Sequence, residues 1–166
     1  MTGLLTDRLV LRRPLGTDLP AYRAYCMSDR TQFTGGPYSA AQATEKLAAM
    51  IGHWDIRGYG RMFFCDRTTG RAMGHVGALH LLETDVPEMT WTIWSDTDEG
   101  KGLAQEAARA YLHHIRALRP FPALQAHIEP DNHRSRQLAL RLGAVFDPDA
   151  TAPDWMPKAL TFRFDL

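Results

Sequence analysis

The sequence predicts an α+β protein, a mixed sheet with helices packed on it. Three observations carry this. Strand-period and helix-period stretches follow one another in mixed order along all 166 residues. Residues 60–82 read as strand, turn, strand. No repeat, linker or low-complexity tract divides the chain, so residues 1–166 are expected to form one domain.

The elements follow in order. In "RLVLRRP" (8–14), Leu9 and Leu11 share one face of a first strand that Pro14 ends. "GTDLPAYRAYCMSD" (16–29) is helical, with Thr17 or Asp18 as cap and Pro20 tolerated in the first turn. "TGGPYS" (34–39) is a loop by composition. Ser39 then caps a helix whose Ala43, Leu47, Met50, Ile51 and Trp54 fall at helical spacing. The hairpin in 60–82 has its tip at Asp66 to Gly70. "EMTWTIWS" (88–95) is a strand rich in aromatic and β-branched residues. Leu103, Ala107, Ala108, Tyr111, Ile115 and Leu118 mark one face of a longer helix. "ALQAHIEP" (123–130) is a strand stopped by Pro130, and "NHRSRQLALRLGA" (132–144) is a helix closed by Gly143. A Pro- and Asp-rich loop (147–158) leads to a last strand with Leu160, Phe162 and Phe164 alternating.

Composition narrows the function. Nineteen basic residues balance nineteen acidic ones, so no overall field draws the chain to nucleic acid or anionic lipid. Cys26 and Cys65 are too few for a disulfide scaffold and read as reduced thiols. The opening "MTGLLTDRLVLRR" lacks a signal pattern, and no apolar run approaches ~18 residues. A cytoplasmic protein is expected, without nucleic-acid or membrane partners.

The chemistry concentrates in "SDTDEGKGLAQEAARAYLHHI" (95–115), a strand end, a Gly-Lys-Gly turn and a helix. It is not a nucleotide P-loop, because Gly102 follows Lys101 where Ser or Thr is required. Nor is it a dinucleotide fingerprint, since Gln105 stands at the third glycine position. The first-turn amides of the helix are unpaired and carry the positive end of its dipole, so an anion can sit there. Gly100 and Gly102 remove the β-carbons that would block its approach. A plain glycine turn is the competing reading. Four carboxylates crowd the same stretch: Asp96, Asp98, Glu99 and Glu106.

"EGKGLA" resembles the pyrophosphate loop of the GNAT superfamily of acetyl-CoA-dependent N-acetyltransferases, Gln/Arg-x-x-Gly-x-Gly/Ala. Glu99 stands at the Gln/Arg position, Gly102 at the Gly and Ala104 at the last position. The resemblance spans the chain, from "TDRLVLR" through "EMTWTIW" to "NHRSRQLALRLGAVF". The last segment is similar to the Asn-x-x-Ser helix of the branch that acetylates ribosomal-protein N-termini (the Rim type).

The resemblance implies a mostly antiparallel sheet of about seven strands flanked by about four helices. The sheet would splay between its fourth strand (88–95) and its fifth (124–128), leaving a V-shaped slot for pantetheine. The cosubstrate would be acetyl-CoA, with no metal. Its phosphates would meet main-chain amides at Gly100, Lys101, Gly102, Leu103 and Ala104, and Asn132 would also bind the cofactor. The acids of the turn are then expected to be a solvated, dipole-friendly helix start. Ile93 would polarise the thioester carbonyl through its amide, and Trp94 and Ser95 would bond the pantetheine arm; as side chains, Trp91, Ile93 and Trp94 read as core. Glu88 matches the family's base, against the plainer reading of an exposed strand-edge carboxylate. Glu83 and Asp85 would attract a cationic amine. Ser135 could donate to the thiolate, or bond locally beside the cap Asn132. Ala139 occupies the position at which many members carry a tyrosine acid. His75 and His80 fall on opposite faces of their strand, which favours structural roles over joint metal ligation. Phe33, Tyr38 and Trp54 lie in segments that wall the acceptor side, although core duty suits Trp54.

The activity implied is acetyl transfer to a primary amine, of a protein N-terminus or a small molecule, by direct attack in a ternary complex. A non-catalytic acyl-CoA-binding or sensing domain is the alternative, motivated by Ala139 and Glu99. Exposed apolar residues near the last strand would permit a homodimer as well as a monomer.

Overall fold

A computed structural model describes residues 3–166. Its strands are β1 (Leu4–Leu5), β2 (Leu9–Arg12), β3 (Arg61–Asp66), β4 (Ala72–Leu79), β5 (Glu88–Ile93), β6 (Leu124–Ile128), β7 (Val145–Asp147) and β8 (Leu160–Phe164). The helices are α1 (Leu19–Cys26), α2 (Ala40–Arg57), α3 (Leu103–Leu118) and α4 (His133–Arg141). The strands form one sheet in the order β1-β2-β3-β4-β5-β6-β8-β7. Every neighbouring pair is antiparallel except β5 and β6. The mixed sheet matches the expected class, with eight strands where about seven were expected.

Strand alternation sorts the core onto two faces. Leu9, Leu11, Met62, Phe64, Val76 and Ala78 pack with the apolar stripe of α3. Phe63, Cys65 and Trp94 face the other way, against Tyr22, Tyr25 and Cys26 of α1 and Leu47 and Met50 of α2. Both cysteines are buried free thiols, and burial raises their pKa.

Local chemistry fixes the element ends. Ser39 and Gln42 form a reciprocal capping box at the start of α2, which ends at left-handed Gly58. In the β3–β4 hairpin, Asp66 Oδ1 accepts from the amides of Thr68 and Thr69, and Gly70 takes the left-handed turn position.

Two expectations need correction, and an edge strand was not foreseen. Asp18 does not cap α1 with its side chain; its carboxylate is turned back onto Arg12 and the Leu15 amide. The first helix ends at Cys26 rather than near Asp29, and Asp29–Thr34 forms a 3₁₀ turn capped by Ser28. Val145–Asp147, which carries no strand pattern of its own, pairs with β8 as an edge strand. Around that edge Leu140, Val145 and Phe146 are exposed.

Tyr111 of α3 is fully buried and its hydroxyl accepts from the Ala78 amide at 2.9 Å. Burial pushes its pKa far up, so it remains a neutral phenol. Tyr111→Phe should cost about 1–3 kcal/mol, because a buried N–H is left without an acceptor. Urea denaturation checks this, and an unchanged midpoint would contradict it.

Candidate functional site

The parallel β5–β6 junction is short. A single register pair, Glu88 with Gln125, joins the two strands, and the Gln125 amide donates to the Pro87 carbonyl. Beyond that pair the strands part. In the ladder to β4, the Trp94 amide donates to the Met73 carbonyl at 2.9 Å. Backbone polar groups alternate sides along a strand, so those of Trp91 and Ile93 face the gap toward β6. The Ile93 carbonyl accepts from Arg30 Nε at 2.9 Å on that side, in agreement with this parity. The Ile93 N–H therefore points into an opening with no strand to receive it.

This parity removes one expectation. The Trp94 amide is already used by Met73, so it cannot bond a pantetheine arm. Its indole is buried against Phe63 and Tyr25 and donates to Thr92 Oγ1 at 3.1 Å. Trp91 is the residue that the pattern missed. Its amide faces the gap by the same alternation, and only the register to β4 makes that visible.

The glycine turn lies at the end of this opening. Gly100 and Gly102 both have φ near +74°, a left-handed conformation that favours glycine. No heavy atom lies within 4 Å of a β-carbon built on Gly100, and at Gly102 only an Arg8 guanidinium nitrogen comes that near, at 3.8 Å. Gly102 is the N-cap of α3 and offers no side chain to its first amides. The first helical bond runs from the Glu106 amide to the Gly102 carbonyl, so the amides of Leu103, Ala104 and Gln105 precede the helical ladder. The exposed Lys101 lies between the two glycines, its carbonyl accepting from Arg8 Nη1.

Of the acids of the turn, Asp96 is solvated as expected, whereas Asp98, Glu99 and Glu106 are drawn into ion pairs. Asp98 is buried and receives two bonds from Arg71, at 2.7 and 2.8 Å, which hold its carboxyl below the usual range. Glu106 accepts from Thr6 Oγ1 and from the amide and side chain of Arg8. Asp96 and Glu99 both pair with Arg30, and Glu99 also pairs with Arg134 of α4. Each carboxylate is turned toward a guanidinium. Glu99, the departure from the Gln/Arg position, is thereby neutralised by two arginines from distant segments.

On the far side of the opening, Asn132 caps α4 by accepting from the Ser135 amide at 3.2 Å. The Ser135 hydroxyl accepts from the Trp91 indole at 3.2 Å, so one contact spans from β5 to α4. Its own proton has no protein acceptor among the described residues and can still be donated. Ala139 is fully buried in the core. Ser95 Oγ accepts from the Thr97 amide.

Glu88 lies at the closed end of the junction. Its side chain is largely buried rather than an exposed edge carboxylate, with His127 Nδ1 at 3.8 Å. His75 is buried on the α1–α2 face, with its Nδ1 2.9 Å from Thr92 Oγ1. Burial, with the charges of Arg61 and Lys46, holds it well below its ordinary pKa, so it is neutral. His80 contacts the Tyr59 hydroxyl, and its amide donates to His53 Nε2. Glu83 is exposed and paired with Arg57 at 2.9 Å. Trp54 is core, donating to the Arg61 carbonyl at 2.8 Å, while Tyr38 lies under Lys46 at 4.2 Å. No group of acids, histidines and cysteines among the described residues could hold a metal.

The family follows from comparison. The model of the acetyltransferase (GNAT) domain matches residues 8–145, and the chain belongs to that family. It is accordingly an acyltransferase of the N-acetyltransferase class. An acetyltransferase from Agrobacterium tumefaciens strain C58 is 30% identical, with a TM-score of 0.90 over 100% of this chain and 95% of that one. A Bordetella pertussis protein assigned to the GnaT family is 28% identical, with a TM-score of 0.81 over 98% and 99% of the two chains. RimL, a ribosomal L7/L12 α-N-protein acetyltransferase solved in complex with coenzyme A, shares the fold. Its TM-score is 0.78 at 13% identity, over 98% of this chain and 97% of that one. No curated protein matches the sequence significantly. No helix among the described residues is long and apolar enough to cross a membrane.

Gly102→Asp should abolish coenzyme A binding while the protein stays folded. The change puts a β-carbon and a negative charge beside the amides that open α3, and the left-handed backbone adds strain of roughly 1–2 kcal/mol. Calorimetric titration with coenzyme A checks this, and wild-type affinity in the variant would refute it.

Proposed function

We propose that the protein transfers an acetyl group from acetyl-CoA to a primary amine by direct attack, without a covalent enzyme intermediate. The observation that carries this is the unpaired Ile93 amide facing the β5–β6 opening, in line with the free first-turn amides of α3. The residues present suit the cosubstrate: open left-handed glycines, unpaired amides and no acid turned toward them. RimL, with the same fold, was solved with coenzyme A, which supports the choice of donor.

When bound, acetyl-CoA supplies the activated thioester. The Ile93 N–H donates to its carbonyl oxygen as negative charge develops there, an effect of about 3 kcal/mol for such donors. Amides from Gly100 to Ala104 and the dipole of α3 hold the pyrophosphate. Ser95 and Asn132 line the path between. An ammonium has no lone pair, so the attacking amine must first lose a proton, and Glu88 is the base. At about 3.3 Å per strand residue, Ile93 lies roughly 16 Å from Glu88 and Trp91 roughly 10 Å. The proton therefore reaches Glu88 through water rather than by direct contact. Ser135 O–H donates to the departing thiolate, a role that its bond from Trp91 leaves open. A thiolate leaves readily, so the absence of a tyrosine at Ala139 does not block the reaction. The protein acts in the cytoplasm, as one domain.

Release of free thiol from acetyl-CoA across a panel of amines tests the proposal. Tight coenzyme A binding with no turnover on any amine would favour a non-catalytic acyl-CoA-binding domain, the reading that Ala139 suggests. Glu88→Gln should lower turnover about 100-fold or more with acetyl-CoA affinity nearly unchanged. If it turns over like wild type, the base lies elsewhere.

A further inference from the structure

Arg61 opens β3 on the same face as Phe63 and Cys65, toward α1 and α2. It is only partly exposed. The other arginines of the described residues that are not exposed, Arg12, Arg23, Arg30, Arg57 and Arg136, each donate to a protein acceptor. The Arg61 guanidinium has no protein hydrogen-bond or ion-pair partner among the described residues.

Its surroundings are chemically specific. Burial lowers its pKa from the ordinary arginine value, and Tyr22, Glu88, Tyr25 and Cys26 are the groups that act on it electrostatically. A guanidinium remains charged at neutral pH even so. Lys46, over the Tyr38 ring, acts on His75 from the same face and pairs with no carboxylate among the described residues. Among the groups that act on Arg61, Glu88 is the one carboxylate. An unpaired, partly desolvated cation is costly, and a ligand anion is what would offset it.

Register fixes the spacing. Arg61 pairs with Gly77, Gly77 pairs with Thr90, and Glu88 lies two residues before Thr90 on the same face. Arg61 and Thr90 are therefore two strand spacings apart, about 10 Å. Gly77 between them has no side chain. The side chains of Arg61 and Glu88 therefore start from the same face of the sheet, with the β4 strand between them.

We propose that the acceptor is a small amine bearing a carboxylate a few bonds from its nitrogen, and that Arg61 determines this specificity by binding the carboxylate. The proposal rests on the acetyl-transfer reading for the identity of the amine as acceptor. Arg61 acts on the acceptor's carboxylate, where a forked guanidinium can give two parallel bonds.

The test compares free amino acids with the same compounds as carboxamides, in thiol-release kinetics and in calorimetric binding with coenzyme A present. The wild type should favour the carboxylate forms by about tenfold or more in kcat/KM. Arg61→Gln should erase that preference by raising KM for the carboxylate forms, with the carboxamide rates, coenzyme A affinity and melting temperature unchanged. Arg61→Lys should restore part of it. Equal wild-type handling of both forms would overturn the proposal. So would an equal loss on both in Arg61→Gln, which would mean that Arg61 only balances Glu88. Arg61-dependent binding of the carboxylate form without any turnover would uphold this site and overturn the acetyl-transfer reading instead.

Discussion

The structure turns on how little backbone holds β5 to β6. One parallel pair closes the junction at Glu88 and Gln125, and the sheet then divides into a five-stranded part and a three-stranded part. A strand whose neighbour has left exposes its N–H groups on that side, and each such group needs a partner. The Ile93 carbonyl finds one in Arg30, while its N–H faces the opening. The opening is stabilised from outside the sheet. Trp91 bonds Ser135 across it, and Arg30 and Arg134 grip Glu99 at its mouth.

That grip resolves the electrostatic conflict at the glycine turn. Four acids beside the helix start proposed to hold the pyrophosphate would repel it if their charges faced it. Each is engaged by a guanidinium instead: Asp98 by Arg71, Glu106 by Arg8, and Asp96 and Glu99 by Arg30. Exposed pairs of this kind contribute little to stability alone. Their value here is directional, because they hold negative charge away from amides that must stay free. Asp98, nearly enclosed and bonded twice, is the firmest of these anchors.

Much of this was legible in the sequence. The alternating Leu9 and Leu11, the Ser39 cap and the glycine turn between a strand and an amphipathic helix all reflect local rules, and the structure obeys them. The candidate site was legible as far as it rests on backbone placed by neighbouring elements. What stayed hidden depends on partners distant in sequence. Arg71 is 27 positions from Asp98 and Arg30 is 66 from Asp96, so no local pattern reveals that these acids are neutralised. The parity that commits the Trp94 amide to Met73 and opens Trp91 depends on the β4–β5 register, which periodicity alone does not set. Strand β7 was missed for the same reason, since it exists only through its pairing with β8.

The most direct measurement is backbone amide NMR during titration with coenzyme A. Large shifts and slowed exchange are expected at Ile93 and from Gly102 to Ala104, with Trp94, already bonded to Met73, changing little. Saturating coenzyme A that leaves Ile93 and the Gly102–Ala104 amides unperturbed would contradict it.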